Sequence, residues 1–167
     1  VWMQTVEGGM KNSILSSVVM PNYNGHRFVE QAIDSVLNQT YPNFELLVVD
    51  DCSKDDSLQL IQQKAQSDDR IRVIALEHNA GVANARNVGI KEAKGEFIAL
   101  LDNDDLWTED KLERQLALAN SGADIVYCSY DFIDEQNNSI KKPFIVPQQT
   151  NFNKMLASSV ISCSTSF

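Results

Sequence analysis

Apolar residues along this chain switch between short runs and helical spacing, and the alternation predicts most of its secondary structure. Ile14 to Met20 reads as a strand stopped by Pro21. Phe28, Ala32, Ile33, Val36 and Leu37 then recur at helical spacing until Tyr41-Pro42 ends that helix. Phe44 to Val49 is a second strand, and Ser53 or Asp55 can cap a helix through Leu58, Ile61 and Ala65. Ile71 to Leu76 makes a third strand, Gly81 opens a helix through Lys91, and Gly95 turns the chain into a fourth strand, Phe97 to Leu101. Further on, Lys111 to Asn120 reads as a helix, Asp124 to Ser129 as a strand and Asp131 to Ser139 as a polar turn. Ile140 to Val146 is an edge strand because Pro143 lies within it. Phe152 to Ala157 is a short helix, and Val160 to Phe167 resembles a strand on which the sequence stops, as a truncated domain would. Strands alternating with helices require right-handed crossovers, so the expected fold class is α/β, a mostly parallel sheet with helices on both faces. Residues 1–9 carry no such pattern and are read as a leader or cloning remnant ahead of one domain over 10–167.

The fourth strand delivers charge. Five apolar residues, Phe97 to Leu101, run directly into Asp102-Asn103-Asp104-Asp105. Three carboxylates in one short turn raise one another's pKa and repel, which is easiest to rationalise if a cation or a set of donors sits among them. Ligands gather at the carboxyl ends of parallel strands, where these acids fall. The alternative is that Asp104 or Asp105 caps a helix beginning near Thr108.

Other turns offer complementary chemistry. Pro21-Asn22-Tyr23-Asn24-Gly25 carries a ring, two amides and a glycine, and either stacks a base or simply leads into the next helix. After the second strand, Asp50-Asp51 can accept hydrogen bonds from a ribose or a base N–H, or cap the following helix. In His78 to Gly89, the helix N-terminus at Gly81 can face phosphate oxygens and Arg86 can neutralise them as a permanently charged fork. Ala83, Ala85, Val88 and Gly89 are read as packing residues. Arg86 is the nearest cation in sequence to the acid cluster.

Composition narrows the partners. A chain of 167 residues, 43% hydrophobic, supports one sizeable core. Its net charge of −9 argues against a nucleic-acid partner and against a broad basic face for anionic lipid. Cys52, Cys128 and Cys163 are widely spaced and only His26 and His78 accompany them, so neither a disulfide framework nor a zinc site is suggested. No stretch approaches the roughly 20 apolar residues of a membrane span, and the expected location is cytoplasmic.

Two alternatives fit poorly. A dinucleotide-binding turn would carry Gly-x-Gly-x-x-Gly after the first strand, where this chain has only Gly25. A haloacid-dehalogenase-type phosphatase would place Asp-x-Asp on its first strand, not its fourth. Taken together, Val18 to Asn24, Phe28 to Pro42 with Ser35-Val36-Leu37-Asn38-Gln39-Thr40, Glu45 to Ser57, Gly81 to Gly89 with Ala85-Arg86-Asn87, and Gly95 to Trp107 resemble the family 2, GT-A type nucleotide-sugar glycosyltransferases. The likeness runs from Ser16 to Phe167.

That resemblance implies a GT-A, Rossmann-like, three-layer α/β/α sandwich. It implies that Pro21, Tyr23, Asn24, Asp51 and Asp50 hold the nucleotide, with Arg86 beside the diphosphate. Asp102 and Asn103 would meet the ribose and sugar end, and Asp104, with Asp102, a divalent cation, Mn²⁺ or Mg²⁺. The implied reaction is inverting transfer from a nucleotide-diphosphate sugar, UDP-linked by preference, to a saccharide or lipid-linked acceptor in bacterial envelope polysaccharide or lipopolysaccharide synthesis. The implied general base lies after Phe167, which would leave this chain alone weak or inactive. Glu109-Asp110 is given a structural role at a helix start. No nucleic acid and no membrane span are expected, although peripheral association at the inner face of the cytoplasmic membrane fits the family. A non-catalytic nucleotide-sugar-binding module remains the main alternative.

Overall fold

A computed structural model describes residues 14–150 and 161–167. Four strands, β1 (Ser16–Asn22), β2 (Phe44–Asp50), β3 (Ile71–Ala75) and β4 (Phe97–Leu100), form one parallel sheet in the order β3-β2-β1-β4. The helices are α1 (Val29–Leu37), α2 (Ser57–Ser67), α3 (Val82–Glu92) and α4 (Lys111–Ala119). Every residue of β1 and β2 is buried, as expected of central strands covered on both faces. Val18, Met20, Leu46, Val48 and Ala99 share one apolar cluster with Ile33 and Val36 of α1, Ile61 of α2, and Leu112 and Leu116 of α4. On the opposite face, Val19 and Val49 pack against α3 at Gly89, where a Cβ would overlap Val19. Helices therefore cover both faces, and the architecture is the expected three-layer α/β/α sandwich. Of the small residues of α3, Ala85 and Gly89 are buried as predicted, while Ala83 is exposed.

Pro21 does not stop β1. The strand runs on to Asn22, with Pro21 opposite Val49 in the β2 register. Leu101 N donates to Val19 O at 3.1 Å, and the next rung toward β4 would require a donor on Pro21, which has none. The proline thus ends the β1–β4 ladder while β1–β2 pairing continues.

The Ser35 to Thr40 motif joins α1 to the start of α4. Gln39 Nε2 donates to Thr108 O (2.7 Å) and Gln39 Oε1 accepts from Leu112 N (2.9 Å), while Thr40 N donates to Glu109 O (2.8 Å). Asp110 is the N-cap residue of α4 and pairs with Arg114, which bears out the structural role given to Glu109-Asp110.

The second half of the chain departs from expectation. Asp124 to Ser129 and Ile140 to Val146 are not strands; only the isolated antiparallel bridges Tyr130↔Phe144 and Ile133↔Ser139 flank the polar turn. Ile125 and Ile145 are 60% and 73% exposed, so their apolar periodicity has no layer to bury against. The final segment is also not a strand. Cys163–Thr165 is a single 3-10 turn beside β4, and Phe167 exchanges both backbone hydrogen bonds with Val126 (2.9 Å each). The helix expected over Phe152 to Ala157 and the leader over 1–9 lie outside the described residues.

Lys111 is buried at the start of α4, its ammonium 4.0 Å from the centre of the Trp107 ring and donating to Gln115 Oε1. Burial pushes its pKa down to about 8, below the ordinary 10.5. Below the lower value it is charged in both folded and unfolded chains; between the two the unfolded chain binds the extra proton, so stability rises with pH there. Urea denaturation of the wild-type chain should therefore show a gain in stability from pH 8 to pH 10 that Lys111→Met lacks. In the same assay at neutral pH, Leu46→Ala in fully buried β2 should cost about 2–5 kcal/mol, against about 0.5 kcal/mol or less for Leu118→Ala on the exposed face of α4.

Candidate functional site

Parallel strands ending at one edge bring their turns together, and above β1, β2 and β4 these turns enclose a cleft of about 360 Å³. The turn after β1 contributes Pro21 and Tyr23, whose ring is 48% exposed. The turn after β2 contributes Asp51, which is 2% exposed. Its two carboxylate oxygens accept from Ala80 N (2.9 Å) and Gly81 N (2.8 Å), and its carbonyl accepts from Asn79 Nδ2 (3.2 Å). Gly81 adopts φ +89°, a left-handed backbone that lets both amides turn onto one carboxylate at the start of α3. The Gly81 N–H expected to be open to phosphate is thus taken by Asp51, together with that of Ala80.

One turn into α3, Arg86 reaches the acid turn: its Nη2 donates to Asp102 Oδ1 at 2.5 Å. Its Nε is buried without a partner among the described residues, an orphaned donor beside the cleft. The acid turn is held at three more points. Asp102 N donates to Ser164 Oγ (3.0 Å), Asp105 N to Asp102 O (3.2 Å), and Asn103 Nδ2 to Asn22 Oδ1 (2.8 Å). Burial pushes the Asp105 carboxyl above its ordinary range, a hydrogen bond from Ser164 opposes this, and the neighbouring charges of Asp104 and Asp102 add to the rise. Asp104 is exposed at the cleft and makes no hydrogen bond or ion pair among the described residues.

Pro21, Tyr23, Asp51, Arg86, Asp102, Asn103 and Asp104, all singled out in the sequence, line one cleft. Asp50 and Asn24 do not. Asp50 is 1% exposed beneath the turns, where its carboxylate accepts from Asn22 Nδ2 (2.7 Å), Ser53 N (3.0 Å) and Ser53 Oγ (2.5 Å). Asn24 bends outward at φ +52° and accepts from Lys54 N (2.8 Å). Sequence reasoning gave no individual role to Asn22, Asn79 or Ser164. Asn79 sits two residues before the helix-opening Gly81 and could have been singled out there; Ser164, 62 residues from Asp102, carried no local signal.

Among the described residues, no group of three or more His, Cys, Asp or Glu converges as a metal cage. Asp102 and Asp104 nevertheless offer hard oxygen donors at the cleft, which suits an ion completed by phosphate and water rather than by protein alone. No helix among the described residues is long and apolar enough to cross a membrane.

An all-parallel sheet carrying an acidic turn and an arginine at its carboxyl edge is the layout of the GT-A class of nucleotide-sugar enzymes, and solved structures of that kind superimpose on the chain. TarS of S. aureus in complex with UDP matches with a TM-score of 0.68 at 29% identity, covering 77% of this chain and 38% of TarS. The mannosyltransferase PcManGT of Pyrobaculum calidifontis, solved with GDP-Man and Mn²⁺, matches at 0.63 and 27%, covering 68% and 34%. The family model described as Glycosyl transferase family 2 matches residues 17–167. This chain belongs to glycosyl transferase family 2.

Among curated relatives, the Escherichia coli UDP-Glc:alpha-D-GlcNAc-diphosphoundecaprenol beta-1,3-glucosyltransferase WfgD is 41% identical over 152 residues, 90% of this chain and 58% of WfgD. TuaG of Bacillus subtilis, provisionally named a teichuronic acid biosynthesis glycosyltransferase, is 36% identical over 152 residues, 90% of this chain and 60% of TuaG. The chain thus spans less than two thirds of the length of these relatives.

Asp51 should be a structural anchor as well as a cleft residue. Asp51→Ala would leave the Ala80 and Gly81 amides without their carboxylate, and we expect a loss of about 2–3 kcal/mol in denaturant unfolding. Faster amide exchange confined to the start of α3 should accompany it.

Proposed function

We propose that this chain binds a nucleotide-diphosphate sugar, preferably UDP-linked, in the cleft above β1, β2 and β4, as the donor-binding part of an inverting glycosyltransferase. The acceptor in this reading is a saccharide or lipid-linked saccharide of bacterial envelope polysaccharide synthesis. The single observation that carries it is convergence: Tyr23, Asp51, Arg86, Asp102 and Asp104, from four separate turns and helices, line one cleft. The pathway is supported by the names of the WfgD and TuaG relatives, and the nucleotide by the UDP complex of TarS.

The residues divide the ligand between them. Tyr23 offers a half-exposed ring for the base, and Asp51 shapes the wall opposite it. Arg86 has one orphaned N–H and a charge shared with Asp102, so a diphosphate would both satisfy the Nε and draw the guanidinium from its partner. Asp102, freed to that extent, serves the ribose or the cation. Asp104 is the exposed carboxylate that would hold Mn²⁺ or Mg²⁺, with Asp102 as second ligand directly or through water. When bound, such an ion stabilises negative charge on the departing diphosphate as a Lewis acid. Asn103 lies between the two acids at the sugar end.

We assign no general base among the described residues; in this reading it lies beyond Phe167, and residues 10–167 are the nucleotide-sugar-binding part of a GT-A domain that acts at the cytoplasmic face of the membrane. A non-catalytic binding module has no specific observation in its favour.

Thermal-shift measurements with UDP, GDP and dTDP, each with and without Mn²⁺, test the donor site. UDP with Mn²⁺ should raise Tm more than either alone, the stabilisation growing with the logarithm of ligand over Kd. Asp104→Asn should remove the Mn²⁺-dependent part, and Arg86→Met should weaken UDP binding about tenfold. No stabilisation by any nucleotide would sink the reading.

A further inference from the structure

At the floor of the cleft, which Asn22 helps to line, is a polar relay that the donor-site reading above leaves unused. Asn22, at the carboxyl end of β1, is 1% exposed. Its Nδ2 donates to Asp50 Oδ1 (2.7 Å), Ser57 Oγ (3.0 Å) and Ser53 Oγ (3.2 Å). Its Oδ1 accepts from Asn103 Nδ2 at 2.8 Å, and its backbone carbonyl accepts from Asp51 N at 2.8 Å. One buried residue therefore touches both acid-bearing turns.

The polarity of this relay is forced. Asp50 accepts from Ser53 N–H and Ser53 O–H as well as from Asn22, so the Asn22 amide presents its NH₂ downward to Asp50 and its oxygen upward to the acid turn. Asn103 must in turn present its own NH₂ to Asn22. That leaves the Asn103 carbonyl oxygen, an uncharged acceptor, without a donor among the described residues in a turn that lines the cleft.

Gly25 guards the same contact. A Cβ at this position would overlap both Asn103 Nδ2 and Asn22 Oδ1, the two atoms of the hydrogen bond. The requirement is for space, since Gly25 does not have a left-handed backbone.

We infer that Asn22, backed by Asp50 and given room by Gly25, is a positioning residue for the donor site: it fixes the orientation of Asn103 so that its carbonyl oxygen accepts from a hydroxyl of the bound nucleotide sugar, and it sets the presentation of Asp102 and Asp104 on either side. This rests on the donor-site reading. A purely structural Asn22 would alter stability alone, whereas a positioning Asn22 alters ligand affinity through Asn103.

The test is a double-mutant cycle read by calorimetric titration of UDP in the presence of MnCl₂, with Tm recorded for each chain. Asn103→Ala and Gly25→Ala should each weaken UDP about tenfold, the scale of one lost hydrogen bond in a preorganised site. Asn22→Ala should do the same, yet add less than about twofold when combined with Asn103→Ala. Gly25→Ala crowds the Asn22–Asn103 contact without removing any hydrogen-bonding group from the Asp50 network, and keeps the test open if Asn22→Ala fails to fold. Equal UDP affinity for wild type and Gly25→Ala, or additive losses in the double variant, overturns the inference alone. Failure of the wild-type chain to bind UDP overturns the donor-site reading and the inference with it.

Discussion

Because β1 hydrogen-bonds to β2 on one side and to β4 on the other with all three running the same way, their carboxyl ends stop at one edge. The turns there meet however far apart they are in sequence. Asn22 is 28 residues from Asp50 and 81 from Asn103, yet it touches both. The sheet can hold this arrangement because β1 and β2 are buried throughout and their backbone groups are satisfied by the ladder, which leaves charged residues nowhere to go but the ends. Pro21 ends the β1–β4 ladder, and above it the first and fourth turns are joined by the Asn22–Asn103 side-chain hydrogen bond in its place.

Placing acids at such an edge raises a charge problem that the fold settles locally. Asp50 is surrounded by an amide, a hydroxyl and a backbone N–H, and Asp51 by two backbone N–H groups of the α3 entry. Asp102 is matched by Arg86, and only Asp104 stands exposed at the cleft without a partner among the described residues. A buried carboxylate that accepts several hydrogen bonds is stable without a cation, whereas an exposed one relies on solvent for the same stabilisation. The same turn-to-turn hydrogen bonds that remove repulsion also fix the positions of the groups left over for a ligand.

The strongly periodic first two thirds of the chain was legible because its central strands β1 and β2 bury both faces and each helix has a layer to pack on. Four strands and four helices fall where the spacing put them, although α1 stops at Leu37, short of Tyr41-Pro42, and the N-cap of α2 is Asp56 in place of Ser53 or Asp55. The last third was not legible on the same terms. Ile125, Ile140 and Ile145 keep a strand-like composition but stand exposed, and propensity without a burying partner does not make a strand. Of the site, the residues whose chemistry is unusual in a turn (Tyr23, Arg86 and the run of acids) announced themselves. Asp50 and Asp51 are adjacent and alike, and only packing separates the buried anchor from the cleft wall.

The sequence by itself determined the order of strands and helices, the acid turn, the single arginine near it and the membership of the chain in its glycosyltransferase family, since all of these reside in local pattern and motif. The tertiary structure alone decided which of two neighbouring carboxylates faces the cleft, that Pro21 ends a ladder and not a strand, that Gly25 is required for space, and that Asn22 and Ser164 support the acid turn. These are relations between atoms tens of residues apart, and a one-dimensional pattern does not contain the register and layer packing that bring them within hydrogen-bonding distance.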